Sequence, residues 1–176
     1  LGMVIDLSHA GHKTAMDVVT YSNRPVTVTH ANPDAWHSAP RNLHHDLLQA
    51  LSDTGGMVGF SLYPHHLKGG SECGLSEFSQ MAADMVTTYG SQMFGIGSDL
   101  CQDQPDSVVN WMRNGHWRKT PAPPVAFPAC PVWFRDNRDF PGLSDGLFAA
   151  GLPVEHVAGI LGGNWMAFWD KAFAPS

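Results

Sequence analysis

Two histidines and one aspartate share one kind of position in this sequence. His9, His30 and Asp99 each follow a short run of apolar or β-branched residues typical of a buried strand. The carboxyl ends of parallel strands meet at one edge of a sheet, so these side chains are expected to converge there. Imidazole and carboxylate are the ligands expected for Zn²⁺ or a similar divalent ion, and a carboxylate can also take a proton from the ion's water. A lone histidine at a strand end is more often structural, so the prediction rests on the repetition.

A fourth candidate, Arg41, lies in the loop that follows His30. A guanidinium above the same sheet edge could bind a substrate carboxylate through two parallel hydrogen bonds, and a surface ion pair is the alternative. The histidines of His44–Asp46 are interpreted as the solvated face of a helix. For His65 and His66 we favour structural or solvent roles, although either could touch a substrate.

The elements that must position these residues alternate between strand and helix. This alternation predicts a parallel α/β architecture with right-handed crossovers. The predicted strands are Met3–Ile5, Val26–His30, Met57–Leu62 and Met93–Ser98, and the predicted helices are Lys13–Tyr21, Leu43–Ser52 and Leu75–Tyr89, followed by short helices at Asp106–Arg113, Leu143–Ala150, Val154–Leu161 and Asn164–Ala172.

Composition limits the classes of protein and partner. A formal net charge of −6 and a pI near 5.9 exclude a basic nucleic-acid-binding surface. Three widely separated cysteines predict no disulfide framework. No apolar run reaches the roughly 18–20 residues of a membrane span. We find no targeting signal, which leaves the compartment open and favours the cytoplasm.

We expect a single domain over residues 1–176. Its parts are four βα units over 1–116, a Pro-rich loop over 117–142 and closing helices over 143–176. A Pro-rich stretch of this length is typical of a lid, a packing arm or a contact surface.

The motifs DLSHAG, VTHANPDAW, PRN and GIGSDL, which contain His9, His30, Arg41 and Asp99, resemble the membrane (renal) dipeptidase family of zinc metallopeptidases. The tail, with FPGLSDGL and GILGGNW, resembles that family's closing helices. The resemblance implies a (β/α)₈ TIM-type barrel with two Zn²⁺ ions that hydrolyses dipeptides. It also implies that His9 and His30 hold one zinc, that Asp99 acts in proton transfer, and that Arg41 binds the substrate's terminal carboxylate.

The resemblance covers only the last four strands of such a barrel and its C-terminal helices. The family's H-x-D zinc ligands, its bridging Glu and a further substrate-contacting His have no counterpart here, and the sequence after the fourth strand reads Asp-Leu-Cys-Gln. We therefore expect at most one partial zinc site and no activity from this chain alone. An open half-barrel would expose strand edges at Met3–Asp6 and Met93–Ser98, so we expect order only with the missing N-terminal half or a second copy. Two alternatives stay open: a related metal-dependent amidohydrolase acting on another amide, and a catalytically inactive half-barrel.

Overall fold

The structure is a computed structural model that describes residues 3–102, 104–114, 119–120 and 126–174 of the 176-residue chain. In the described residues, short helices and strands alternate up to the end of the third strand, and helices follow. The elements are α1 (His12–Tyr21), β1 (Thr27–Val28), α2 (His45–Asp53), β2 (Met57–Phe60), α3 (Leu75–Tyr89), β3 (Phe94–Ile96), α4 (Asp106–Asn114), α5 (Phe140–Ala149), α6 (Val154–Ala158) and α7 (Asn164–Ala172), with a π-helical turn at Gly159–Gly163 and 3₁₀ turns at Pro64–His66, Gly70–Glu72, Ser91–Met93 and Asn137–Asp139.

The three strands form one parallel sheet in the order β1-β2-β3. Thr27 pairs with Met57, and Val58 pairs with Phe94. Because α2 and α3 connect neighbouring parallel strands, every carboxyl end lies at the same edge of the sheet. The predicted α/β class is confirmed, and the described residues form a three-stranded open sheet.

The prediction of a buried first strand over Met3–Ile5 is wrong for the described residues. The segment contributes only an isolated parallel bridge, in which Asp6 faces Thr27. The bridge is held by the Thr27 amide, which donates to the Ile5 carbonyl at 3.0 Å. Met3 and Ile5 are 73% and 47% exposed, since no described residue covers their outer face. Apolar composition marks a strand in sequence, but a strand extends only where a second neighbour continues the ladder.

The core lies between the sheet and its helices and is built around stacked phenylalanines. The ring of Phe60 on β2 stacks on Phe94 of β3 with centroids 4.7 Å apart. Phe78 of α3 meets Phe60 edge-on at 6.2 Å. All three rings are almost completely buried, and each contributes about 2–3 kcal/mol through the apolar surface it removes from water. This packing keeps β2 and β3 rigid beneath the edge that carries the polar residues.

The outer edge of β3 is partly covered, whereas the sequence predicted that Met93–Ser98 would expose an open edge. Asn164 at the start of α7 donates through Nδ2 to the carbonyl of Phe94 at 2.7 Å. The indole Nε1 of Trp165 donates to the carbonyl of Ile96 at 3.0 Å. Two side chains thus occupy two outward-facing carbonyls of β3, which leaves this edge less open than a bare strand.

The last helices begin close to where the sequence predicts them. Helix α5 starts at Phe140, three residues before the predicted start, because the 3₁₀ turn ahead of it is fixed by a capping box between Asp136 and Asp139. Part of the predicted Pro-rich loop, residues 117–118 and 121–125, lies outside the described residues. No helix in the described part of the chain is long and apolar enough to cross a membrane.

Candidate active site

The imidazoles of His9 and His30 meet at the carboxyl edge of the sheet. His9 lies between the bridge at Asp6 and the start of α1, and His30 follows β1. Their Nε2 atoms are 3.2 Å apart and their ring centroids 5.2 Å apart. Two nitrogens bound to one tetrahedral Zn²⁺ at 2.0–2.1 Å would lie about 3.3 Å from each other. The spacing of this pair therefore fits two ligands of a single ion.

The guanidinium of Arg41 lies against His9. Its Nη1 is 2.6 Å from His9 Nδ1 and 3.1 Å from His9 Nε2. The Nε and Nη2 atoms of Arg41 are buried and have no hydrogen-bond partner among the described residues. Burial lowers the pKa of Arg41, and the negative charges of Asp99 and Asp6 oppose that effect. A half-buried guanidinium with two donors unpaired among the described residues is suited to bind an anion, because leaving those donors unpaired costs free energy.

The backbone of the loop that carries Arg41 is held by two buried asparagines. The amide of Asn32 donates to Oδ1 of Asn42 at 3.0 Å, and the amide of Leu43 donates to the carbonyl of Asn32 at 2.8 Å. Asn42 also donates through Nδ2 to the carbonyl of His66 at 3.1 Å. These bonds fix the residue next to Arg41, so the guanidinium starts from a rigid anchor.

Asp99 lies beyond β3 in an unusual backbone conformation. It has φ = 51° and is the only non-glycine residue with positive φ in the described part of the chain. Burial lowers the pKa of His30, and the positive charge of Arg41 lowers it further. The negative charges of Asp99 and, more weakly, Asp6 raise it. The exposed Asp99 carboxylate thus acts electrostatically on both His30 and Arg41.

A polar network lies beneath the two histidines. The carboxylate of Asp6 accepts hydrogen bonds from the hydroxyl of Ser8 at 2.6 Å and from the hydroxyl of Thr29 at 2.7 Å. It also accepts from the backbone amides of both residues, each at 3.0 Å. Oγ1 of Thr29 is in turn 2.9 Å from Nδ1 of His30. The central place of Thr29 in this network is seen only in the structure.

His66, for which the sequence left two roles open, is buried beside His30. It is 4% exposed, its ring stacks on His30 at 6.4 Å, and its Nδ1 is 2.8 Å from Oγ of Ser61. Burial lowers the pKa of His66 to about 4, with Arg41 and His30 adding to the effect. Its neighbour His65 is exposed. Adjacent side chains point in different directions, so the sequence pair His65-His66 already indicated that one of the two could face inward.

The histidines of the α2 N-terminus do not join this site. His44 is paired with Asp34 at 3.5 Å, and Asp46 with His12 at 3.1 Å. His45 contacts the Tyr89 hydroxyl at 2.6 Å. All three residues of His44–Asp46 are exposed, as the sequence predicted. In the described residues, no group of three or more His, Cys, Asp or Glu side chains is arranged to hold a metal ion, so His9 and His30 stand as a two-ligand pair.

Two cavities at opposite ends of the sheet have different chemistry. A cavity of about 670 Å³ opens at the amino ends of β2 and β3, and its lining has no histidine and no carboxylate. A smaller cavity of about 340 Å³ lies beside Arg41 and is also lined by Ser8, His12 and Asp34. The larger space has no histidine or carboxylate to hold a metal ion, so the candidate active site is the histidine–arginine cluster.

Comparison with known proteins identifies the family. The family model for membrane dipeptidase, peptidase family M19, matches residues 1–112. The chain is 28% identical over 170 residues to dipeptidase aclJ of Aspergillus oryzae, a match covering 93% of this chain and 34% of that protein. It is also 28% identical over 102 residues to an uncharacterized dipeptidase of Schizosaccharomyces pombe, covering 57% of this chain and 24% of that protein. The matches thus cover about a third and about a quarter of the length of these two relatives.

Solved structures share the fold. An amidohydrolase from Pseudomonas aeruginosa superposes with a TM-score of 0.87 at 27% identity, covering 98% of this chain and 53% of that one. A metallopeptidase from Rhodobacter sphaeroides, liganded with a phosphinate mimic of L-Ala-D-Ala, superposes with a TM-score of 0.75 at 22% identity, covering 97% of this chain and 43% of that one. The family-model match and the shared fold lead to one conclusion: this chain belongs to the membrane dipeptidase family, peptidase family M19.

Proposed function

We propose that this chain supplies half of the active site of a zinc-dependent dipeptidase and strands five to eight of its TIM-type barrel. The observation that carries the proposal is the Arg41 guanidinium. It lies beside the Nε2 atoms of His9 and His30, and two of its buried nitrogens have no partner in the described part of the chain. A free carboxylate is the group that two parallel N–H donors recognise best, and a dipeptide has one next to its only peptide bond.

In this proposal His9 and His30 hold one Zn²⁺ through Nε2. When bound, the ion would lower the pKa of a water molecule and polarise the scissile carbonyl. Arg41 would hold the terminal carboxylate, so that the peptide bond lies over the histidine pair in a fixed orientation. The Rhodobacter sphaeroides neighbour with its dipeptide mimic supports an L-Ala-D-Ala-like substrate for the same fold.

Asp99 is proposed to move the proton. Its carboxylate is exposed and acts electrostatically on His30 and Arg41, so it can reach solvent and the reaction centre. As general base it would take a proton from the attacking water, and as general acid it would return that proton to the leaving amine. The left-handed backbone of Asp99 supports a functional role, because strained residues cluster at active sites.

Completion of the site requires further residues. Two imidazoles are too few for a catalytic zinc, which takes three protein ligands. The exposed side chains of Met3 and Ile5 mark the side on which further strands would pack. We propose that complementary strands, from the N-terminal part of a longer chain or from a second copy, supply the missing ligands there.

The decisive experiment measures hydrolysis of L-Ala-D-Ala and of its C-terminal amide by the complete natural protein loaded with Zn²⁺. Arg41→Ala is expected to raise KM for the free dipeptide about 10–100-fold, because it removes charge-assisted hydrogen bonds of about 1.5–3 kcal/mol. The same variant should leave hydrolysis of the amide unchanged. Arg24→Ala is the matched control, since Arg24 bonds the Ala172 carbonyl far from the site.

Three outcomes would contradict the proposal. Equal turnover of the amide and the free dipeptide by the wild type would favour the amidohydrolase alternative. Unchanged KM in Arg41→Ala would remove Arg41 from carboxylate binding. No hydrolysis of either substrate by the zinc-loaded protein would favour the inactive half-barrel.

A further inference from the structure

Four side chains link into a continuous series of close polar contacts across the site. The contacts run from His9 Nε2 to His30 Nε2 (3.2 Å), from His30 Nδ1 to Thr29 Oγ1 (2.9 Å), and from Thr29 Oγ1 to Asp6 Oδ2 (2.7 Å). Each distance is within hydrogen-bond range, so each contact needs one donor and one acceptor.

The carboxylate end of the series determines every proton within it. The Asp6 carboxylate can only accept, so the single hydroxyl proton of Thr29 points toward it. Oγ1 of Thr29 must then accept from His30, which places a proton on Nδ1 of His30. Nε2 of His30 therefore carries a lone pair and accepts from Nε2–H of His9.

The backbone of Thr29 is fixed as firmly as its side chain. A Cβ atom on Gly59 or on Gly97 would overlap the carbonyl oxygen of Thr29. The end of β1 therefore leans across β2 toward the chain after β3, and only glycine leaves the space for it. The adjoining residue, His30, is brought to His9 by this close approach.

We propose that this series of contacts, the Asp6–Thr29–His30–His9 relay, presets His30 to bind a cation through Nε2. Thr29 is its positioning residue, and His9 is the residue that must change tautomer when the cation binds. A cation bound to Nε2 of His9 requires the His9 proton to move to Nδ1. The inference rests on the proposed function, which supplies the cation that the two histidines would hold.

The first test is the tautomer of each histidine, measured by ¹⁵N NMR on the metal-free natural protein near pH 8. The expected result is Nδ1–H for His30 and Nε2–H for His9, with resonances assigned through His30→Gln and His9→Gln. Addition of Zn²⁺ should convert His9 to Nδ1–H and leave His30 unchanged. An Nε2–H form of His30 in the metal-free protein would overturn the inference, as would a His9 tautomer that is the same with and without Zn²⁺.

The second test replaces the positioning residue. Thr29→Val keeps the shape and loses the hydroxyl, so His30 should become a mixture of tautomers and Zn²⁺ affinity, measured by chelator competition, should fall about 10–100-fold. Thr29→Ser restores the hydroxyl and should restore both readouts. Thr27→Val is the matched control, because the Thr27 hydroxyl bonds the Met57 carbonyl and does not touch His30. Wild-type tautomers in Thr29→Val would contradict the role of Thr29.

The glycine contacts give an independent variant. Gly97→Ala should disturb the His30 resonances as Thr29→Val does, because the Thr29 carbonyl must move away. Gly142→Ala has open space around its new methyl group and should leave the His30 resonances unchanged.

Failure of this inference differs from failure of the proposed function. Tautomers as expected without dipeptide hydrolysis would refute only the function, and hydrolysis with the opposite tautomer of His30 would refute only the relay.

Discussion

His66 is expected to make the stability of the metal-free protein depend on pH. Burial lowers its pKa from 6.5 to about 4, and its Nδ1 is tied to the Ser61 hydroxyl. In the unfolded chain the same imidazole titrates at its ordinary value. Between pH 6.5 and pH 4 the unfolded state therefore binds more protons, so stability is complete above pH 6.5 and is lost as the pH falls toward 4.

The size of the effect follows from the difference between the two pKa values. A difference of about 2.5 units corresponds to at most about 3.4 kcal/mol, at about 1.4 kcal/mol per unit. The folded protein can relax around the charged ring, which reduces this limit, so we expect about 2 kcal/mol between pH 7.5 and pH 4. His66→Gln removes the titration while keeping a polar group near Ser61.

The assay is urea unfolding at half-unit pH steps on the wild type, His66→Gln and the control His65→Gln. His65 is the exposed neighbour, so its replacement should leave the pH dependence of the wild type. The free energy of unfolding of His66→Gln should fall about 2 kcal/mol less than that of the wild type over this range. Parallel curves for wild type and His66→Gln would refute the assignment of His66 as a buried neutral imidazole.

Two further predictions concern the reaction and the sheet edge. Asp99→Asn in the complete zinc-loaded protein should lower kcat for a dipeptide about 10²–10⁴-fold with little change in KM, because a proton-transfer group acts in the transition state. Steady-state kinetics measure this effect. An unchanged kcat would remove Asp99 from the mechanism. Asn164→Ala should lower the free energy of unfolding by about 1–3 kcal/mol, since it removes the donor to the carbonyls of Ser91 and Phe94. Thermal unfolding measures this loss, with Asn23→Ala at an exposed position as the control. Equal losses in both variants would contradict the role of Asn164 at the edge of β3.

Much of the candidate site could be predicted from the sequence because its residues follow strands. Strand and helix patterns are local, and parallel strands bring their carboxyl ends to one edge wherever the strands alternate with helices. His9 and His30 were predicted to converge on this ground alone, and the structure places their Nε2 atoms 3.2 Å apart. The roles of these residues stay proposals, since position alone does not show chemistry.

Other features depend on contacts between distant parts of the chain. The covering of β3 by Asn164 joins residues 70 positions apart, and no local pattern marks the partner. The apolar run of Met3–Ile5 has the composition of a strand, yet a strand also needs a neighbour, and composition does not show which neighbours are present. These differences arise because hydrogen-bond pairing at a sheet edge is a property of the assembled fold.

Sequence alone therefore determined the α/β class, the family and the residue types at the sheet edge, because each of these is written in local pattern and motif. Only the tertiary structure decided the inward direction of His66, the two unpaired nitrogens of Arg41 and the link from Asp6 through Thr29 to His30. The physical reason is that hydrogen bonds have direction and burial depends on all neighbours together, and neither quantity exists until distant segments pack.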